Sequence, residues 1–158
     1  FNQDLGFAEM YLNDKNVEKE IRSMKVSNFV SKIAAVSEVR SKLVHQQKLF
    51  GQHKGVVMDG RDIGTIVFPD AELKIFMTAS PEIRAERRFL EMQEKGLETN
   101  YDEVLKNVQE RDAIDTTRKD SPLVQAADAI EVDNSHLTKE QQFDFIYQLA
   151  LKKINEPS

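Results

Sequence analysis

A chain of 158 residues that is 40% apolar and 31% charged has the size and composition of one globular domain, so disorder is not its default state. It contains no Cys, which excludes disulfides, thiolate nucleophiles and Cys-ligated zinc, and no apolar run approaches the roughly 20 residues needed to cross a bilayer. A formal net charge of -5 argues against a protein that coats nucleic acid, and the N-terminus lacks the basic and apolar stretches of a signal peptide, so a cytoplasmic protein without nucleic-acid or membrane partners is expected.

Residues 1–16 contain Gly6 and the polar stretch Asn13-Asp14-Lys15-Asn16 and read as a hairpin or a ragged start. From Val17 to about Ser31 the apolar positions are helically spaced, and Ser37 then has the character of an N-cap for a helix reaching Phe50, which makes a helical hairpin. Gly55-Val56-Val57-Met58-Asp59-Gly60 has the pattern of a buried parallel strand that delivers polar groups at its C-terminal end. A second strand is expected over Leu73–Thr78. Ser80-Pro81 starts a helix that Gly96 closes, and another spans Asp102 to about Ile114. A third strand covers Ala129–Asp133, and Thr138 opens a terminal amphipathic helix with Phe143, Ile146, Leu149 and Ile154 expected inward. Strand and helix alternate from residue 55 onward, which implies an open α/β sheet preceded by a helical insertion.

The three His, His45, His53 and His136, show no metal-ligand spacing and read as exposed helix or loop residues. The Arg are more informative. Arg22, Arg40, Arg61, Arg84, Arg87, Arg88, Arg111 and Arg118 all precede residue 119, beyond which the strong cations are Lys. Arg offers a rigid donor fork suited to phosphate, so clustered Arg on an acidic chain points to a small anionic ligand, with scattered surface salt bridges as the alternative.

The densest constellation is Asp59-Gly60-Arg61-Asp62-Ile63-Gly64-Thr65 at the expected strand end, where ligands bind in parallel α/β sheets. Arg61 can fork onto a phosphate while Asp62 accepts hydrogen bonds from a base or ribose; the competing reading is an Asp-Gly turn with a local ion pair. Arg84, Arg87 and Arg88 share a helix face, and Arg111, Asp115 and Arg118 repeat the spacing on the next segment. The two faces can close over a polyphosphate, or they can be solvated surfaces paired with Glu82, Glu86 and Glu110. Gly55 and Gly60 have the six-residue spacing of a phosphate-binding loop, but Arg-Asp follows instead of Lys-Ser/Thr, and no G-x-x-x-x-G-K-[ST] occurs in the chain.

The stretches Asp-Gly-Arg-Asp-Ile-Gly-Thr-Ile-Val-Phe-Pro-Asp-Ala (59–71), Lys-Ile-Phe-Met-Thr-Ala-Ser (74–80), Gln-Glu-Lys-Gly (93–96), Glu-Arg-Asp with Asp115 and Arg118, Ser-Pro-Leu (121–123) and Ala-Ala-Asp-Ala-Ile (126–130) together resemble the bacterial cytidylate kinase family. The resemblance implies a partial P-loop nucleoside-monophosphate kinase fold of the α/β class, a parallel sheet flanked by helices with a helical monophosphate-binding insert and a mobile lid. Residues 1–54 would belong to the insert and 55–158 to the core, with the lid at about 85–120. That family opens with a strand, a Gly-rich phosphate loop and a helix, so the resemblance also implies that this chain is the C-terminal two-thirds of such an enzyme.

By matching position, Ser31, Arg40 and Asp62 resemble the cytosine-reading set and Arg61 a ligand of the monophosphate. Arg111 and Asp115 resemble ribose and phosphate contacts, and Arg88 and Arg118 lid arginines around the transferred phosphoryl group. Arg61, Arg88, Arg111 and Arg118 would thus be the catalytic cations. The implied substrates are CMP or dCMP and ATP, with Mg²⁺ held mainly by phosphates. A family of this kind is expected to be monomeric, although strand edges exposed by truncation would promote association. The rival expectation is a nucleotide-binding or interaction module without phosphoryl transfer, and an upstream coding sequence bearing Gly-Lys-Ser/Thr would decide for the enzyme.

Overall fold

The computed structural model describes residues 8–156. The expected hairpin forms from β1 (Tyr11–Leu12) and β2 (Lys15–Asn16), paired antiparallel with Tyr11 opposite Asn16. Its turn places Asn13 and Asp14 at φ of 49° and 64°, the left-handed pair that a tight two-residue hairpin requires and that Asn and Asp tolerate. Residues 1–7, with Gly6, lie outside the described residues.

The single helix expected from Val17 is instead two, α1 (Glu18–Ile21) and α2 (Met24–Ala34). Ser23 divides them, because its hydroxyl accepts from the Val26 amide at 3.4 Å and so starts a new helix. In α3 (Ser37–Phe50) the cap position belongs to Val36 and Ser37 is the first helical residue. The Ser37 hydroxyl donates to the Asp120 carboxylate, and no side-chain cap bond closes this helix start. Where α3 ends, Gly51 lies against Phe68, and a Cβ built on Gly51 would meet that ring at 2.2 Å. Gly51→Ala is therefore expected to lower stability by about 1–3 kcal/mol through overpacking, read as a shift in the urea midpoint; an unchanged midpoint would mean that the Phe68 ring swings clear.

The strand expected over residues 55–60 is absent. Val56 and Val57 are exposed, Val57 fully, and no other strand hydrogen-bonds to this stretch. An apolar run becomes a strand only by sharing its backbone groups with a neighbour, and the described residues supply none here. The other two expected strands do form. β3 (Ile75–Thr78) and β4 (Ile130–Asp133) pair in parallel with Ile75 opposite Ile130, and Val132 is buried.

α4 (Pro81–Glu94) starts as expected, with Ser80 accepting from the Ile83 amide at 3.3 Å and Pro at the first helical position, and Gly96 follows at φ 65°. α5 (Tyr101–Thr117) is longer than expected at both ends, capped by Asn100, which accepts from the Glu103 amide at 2.9 Å. α6 (Lys139–Asn155) carries the capping box of Thr138 and Gln141. Its inward face differs from expectation: Ile146 and Leu149 are half-buried, but Phe143 and Ile154 are exposed, and Phe143 stacks on Tyr147 with ring centroids 5.8 Å apart.

The main core lies between α4 and α5, where Ala85, Met92, Val104 and Val108 are buried together with Met24 of α2 packed against them. Phe89 and Tyr101 seal one side edge-on, centroids 6.3 Å apart. This docking lays α2 across α5, with Ser27 and Asn28 against Asn107.

Candidate anion-binding cleft

A cleft of about 210 Å³ opens between α2, α3, the turn at residues 60–63 and the end of α5. Asp62 enters it from an unexpected scaffold. Residues 59–62 lead into a π-helical turn, Ile63–Val67, in which the amides of Ile66 and Val67 donate to the Asp62 carbonyl at 2.9 and 3.2 Å. That turn, rather than a strand end, fixes the Asp62 backbone. Its carboxylate is 5% exposed and lies 2.5 Å from Nη2 of Arg40, which α3 supplies. The contact is an ion pair without hydrogen-bond alignment, so the buried Asp62 Oδ2 and Arg40 Nε both lack a hydrogen-bond partner.

On the opposite side, Asp115 of α5 is 5% exposed and uses both oxygens: Oδ2 accepts from Arg61 Nε at 3.1 Å and Oδ1 from Arg118 Nη1 at 3.0 Å. Arg118 sits just beyond α5 and is steadied by its own loop, its Nε donating to the Ser121 carbonyl at 2.7 Å while the Leu123 amide donates to the Asp115 carbonyl at 2.7 Å. Ser121 has φ 52°, a left-handed conformation costly for a residue other than Gly, and it persists because these bonds over-determine it. Arg118 Nη2 and Arg111 Nε are buried without a partner.

The electrostatics favour an anion. Among the described residues, Arg40, Arg61 and Arg118 form ion pairs with Asp62 and Asp115, while Arg88 and Arg111 form none. Burial first, then the neighbouring Arg61, holds Arg111 below the usual arginine range; burial and then Arg40 do the same to Arg118. Burial followed by Arg111 lowers Arg88. Guanidinium groups stay protonated under such pressure, so an anion that entered would relieve mutual repulsion and satisfy orphaned donors together.

Ser31, Arg40, Arg61, Asp62, Arg111, Asp115 and Arg118 thus line one cleft, although they come from four separate segments. Its remaining wall is apolar, with Val30, Ala34, Leu43 and Val44. Arg88 is outside the lining, held by Asn107 and Ser27. Its helix neighbours do not join it: Arg84 forks onto Asp112 at 2.8 and 2.6 Å, and Arg87 donates to the carbonyls of Asn134 and Ser135. Neither Arg84 nor Arg87 therefore belongs to a clamp, and the Arg84 partner is Asp112 rather than the adjacent Glu residues. Sequence reasoning missed Ser27, Asn28 and Asn107; their mutual contacts cross about 80 residues and leave no local periodic signal. Among the described residues no group of three or more His, Cys, Asp or Glu converges on a metal position. None of their helices is long and apolar enough to cross a membrane.

Comparison with known proteins agrees with the motif that builds this cleft. A family model described as cytidylate kinase matches residues 1–152. The protein named cytidylate kinase from Flavobacterium psychrophilum is 68% identical over 150 residues, covering 95% of this chain and 66% of that protein. Its counterpart from Flavobacterium johnsoniae is 69% identical over 150 residues (95% and 65%), and the one from Parabacteroides distasonis 57% over 153 residues (97% and 67%). The chain spans about two thirds of the length of these curated relatives. With a family model matching nearly its full length and relatives this similar across all the segments that form the cleft, the chain belongs to the cytidylate kinase family.

Proposed function

We propose that this chain carries the phosphoryl-acceptor side of a kinase that transfers the γ-phosphoryl group of ATP to CMP or dCMP. The observation that carries the reading is a single cleft with an apolar wall at one side and orphaned, buried Arg111 and Arg118 donors at the other. A pyrimidine ring fits against Val30, Ala34, Leu43 and Val44, with Ser31, Arg40 and Asp62 at its polar edge. The monophosphate then faces Arg61, Arg111 and Arg118, and Asp115 holds two of these in place.

In the reaction, a monophosphate oxygen attacks the γ-phosphorus of ATP, a new P–O bond forms, the β–γ bridge bond breaks, and ADP leaves with the electron pair. No protein nucleophile is required. The protein's work is to orient the attacking oxygen and to offset charge on the transferring group, for which Arg61, Arg88, Arg111 and Arg118 are the candidates. Mg²⁺, when bound, would neutralise the donor phosphates. In this reading residues 1–54 serve as the monophosphate-binding insert and residues near 85–120 as the lid.

Calorimetric titration of the 158-residue chain tests the reading. CMP is expected to bind at least about tenfold more tightly than UMP or AMP, since the Asp62 side-chain oxygens accept from the cytosine amino group and repel the uracil carbonyl. Equal binding of all three, or none, would reject it. Turnover of CMP with ATP is not expected from these residues alone, because they contain no G-x-x-x-x-G-K-[ST] to cradle the donor phosphates. ADP formation by the purified chain would reject that part.

A further inference from the structure

We propose that Ser27 and Asn107 are positioning residues for Arg88, anchoring its guanidinium through neutral oxygens so that its positive charge stays unspent for a phosphoryl ligand. This deepens the anion-binding reading above and rests on it. Arg88 Nη1 donates to Asn107 Oδ1 at 3.1 Å, and Nη2 donates to the Ser27 hydroxyl. The Ser27 hydroxyl donates to the same Asn107 oxygen at 3.2 Å, and Asn107 Nδ2 donates to Asn28 Oδ1 at 2.6 Å. Ser27 and Asn107 are 5% and 4% exposed.

The amide can be oriented only one way. The Arg88 guanidinium can only donate, so reversing the Asn107 amide would set its NH₂ against Arg88 Nη1.

The contrast with Arg84, one turn earlier on α4, shows why neutral anchors matter. Arg84 is just as well positioned, but by a bidentate carboxylate that cancels its charge. Arg88 is fixed by two side chains from two other helices, neither charged, and it lies close enough to Arg111 and Arg61 to feel their repulsion. Glu91, the carboxylate that most attracts it, is engaged by Lys95 at 2.5 Å and Arg22 at 3.8 Å. A cation buried beside other cations and held only by neutral dipoles is a poor stability device. It is a good receptor for an arriving anion. The network also ties α2 to α4 and α5, so the helix that carries Ser31 and the helix that carries Arg111 are registered through the same cation.

Asn107→Asp tests this because it keeps the shape and adds the neutralising carboxylate. With inorganic pyrophosphate as the probe, titration of the whole chain is expected to show about a tenfold loss of affinity, while the melting temperature holds or rises. The same substitution in an Arg88→Gln background should have no further effect on pyrophosphate, which a merely structural role would not produce. Ser27→Ala removes one anchor without adding charge; should Asn107→Asp fail to fold, a severalfold loss with Ser27→Ala sustains the proposal. Unchanged pyrophosphate affinity in the folded variants, with or without a lower melting temperature, overturns it, as does a parent chain that binds no pyrophosphate. Pyrophosphate binding without a preference for CMP over UMP would instead sink the cytosine reading and leave this proposal to be judged by the variants.

Discussion

Asp115→Ala is expected to destabilise the chain by about 3–5 kcal/mol, because removing one partner from a buried ion pair strands the other. Asp115 is 5% exposed and the Arg118 side chain 4%, so water cannot take over the lost interaction. The arm to Arg61 contributes less, since that side chain is 43% exposed and its pairing is partly screened. The damage spreads because Arg118 and Arg111 already lie below the ordinary arginine range through burial and like charge, and deleting Asp115 removes the carboxylate that counters this for both. Urea unfolding of parent and variant would measure the loss. Inorganic phosphate should restore part of it, since an anion that binds only the folded chain stabilises by mass action. A loss under about 1 kcal/mol would mean that the pair behaves as a solvated surface bridge, and the buried-cluster description would fail.

The second large effect is expected on selectivity. Asp62→Asn replaces a pure acceptor with a group that also donates, so CMP affinity should fall about 10- to 100-fold while UMP changes little or improves. Arg40, which lies 2.5 Å from the Asp62 carboxylate and has an 11% exposed side chain, loses its counter-charge in this variant, so some stability is lost whatever the ligand. The informative quantity is therefore the ratio of CMP to UMP affinity measured by titration. An unchanged ratio would leave Asp62 as no more than the ion-pair partner of Arg40.

What could be read in advance follows the range of the forces involved. The Ser80-Pro81 start of α4 and the Thr138 to Gln141 box of α6 are settled within four residues, and both formed as expected. From the 59–71 motif, Gly60, Arg61, Asp62 and Ile63 converge on one cleft with Ser31, Arg40, Arg111, Asp115 and Arg118. Residues 55–58 show the opposite case, for their composition is that of a strand but pairing depends on a neighbour. Arg84 and Arg88 lie one turn apart on α4 and have different fates. What separates them is that α5 presents Asp112 to one and Asn107 to the other, which no spacing rule along α4 could reveal. Periodicity alone points Phe143 and Ile154 inward, yet both are exposed, because periodicity cannot say whether a second surface is there to receive the stripe.

The α4–α5 core has a consequence for the order in which the molecule assembles. Its two helices follow one another directly along the chain, so their docking closes only a short loop and can proceed early and quickly. The Arg61–Asp115 bond spans 54 residues, and the Ser27–Asn107 bond spans 80. These closures are expected later, once the helical pair exists to receive them, so Arg40 and Arg61 join Arg88 and Arg111 on a scaffold that is already packed. Bringing Arg40 and Arg61 in last keeps their share of the repulsion out of the early collapse, where it would oppose compaction.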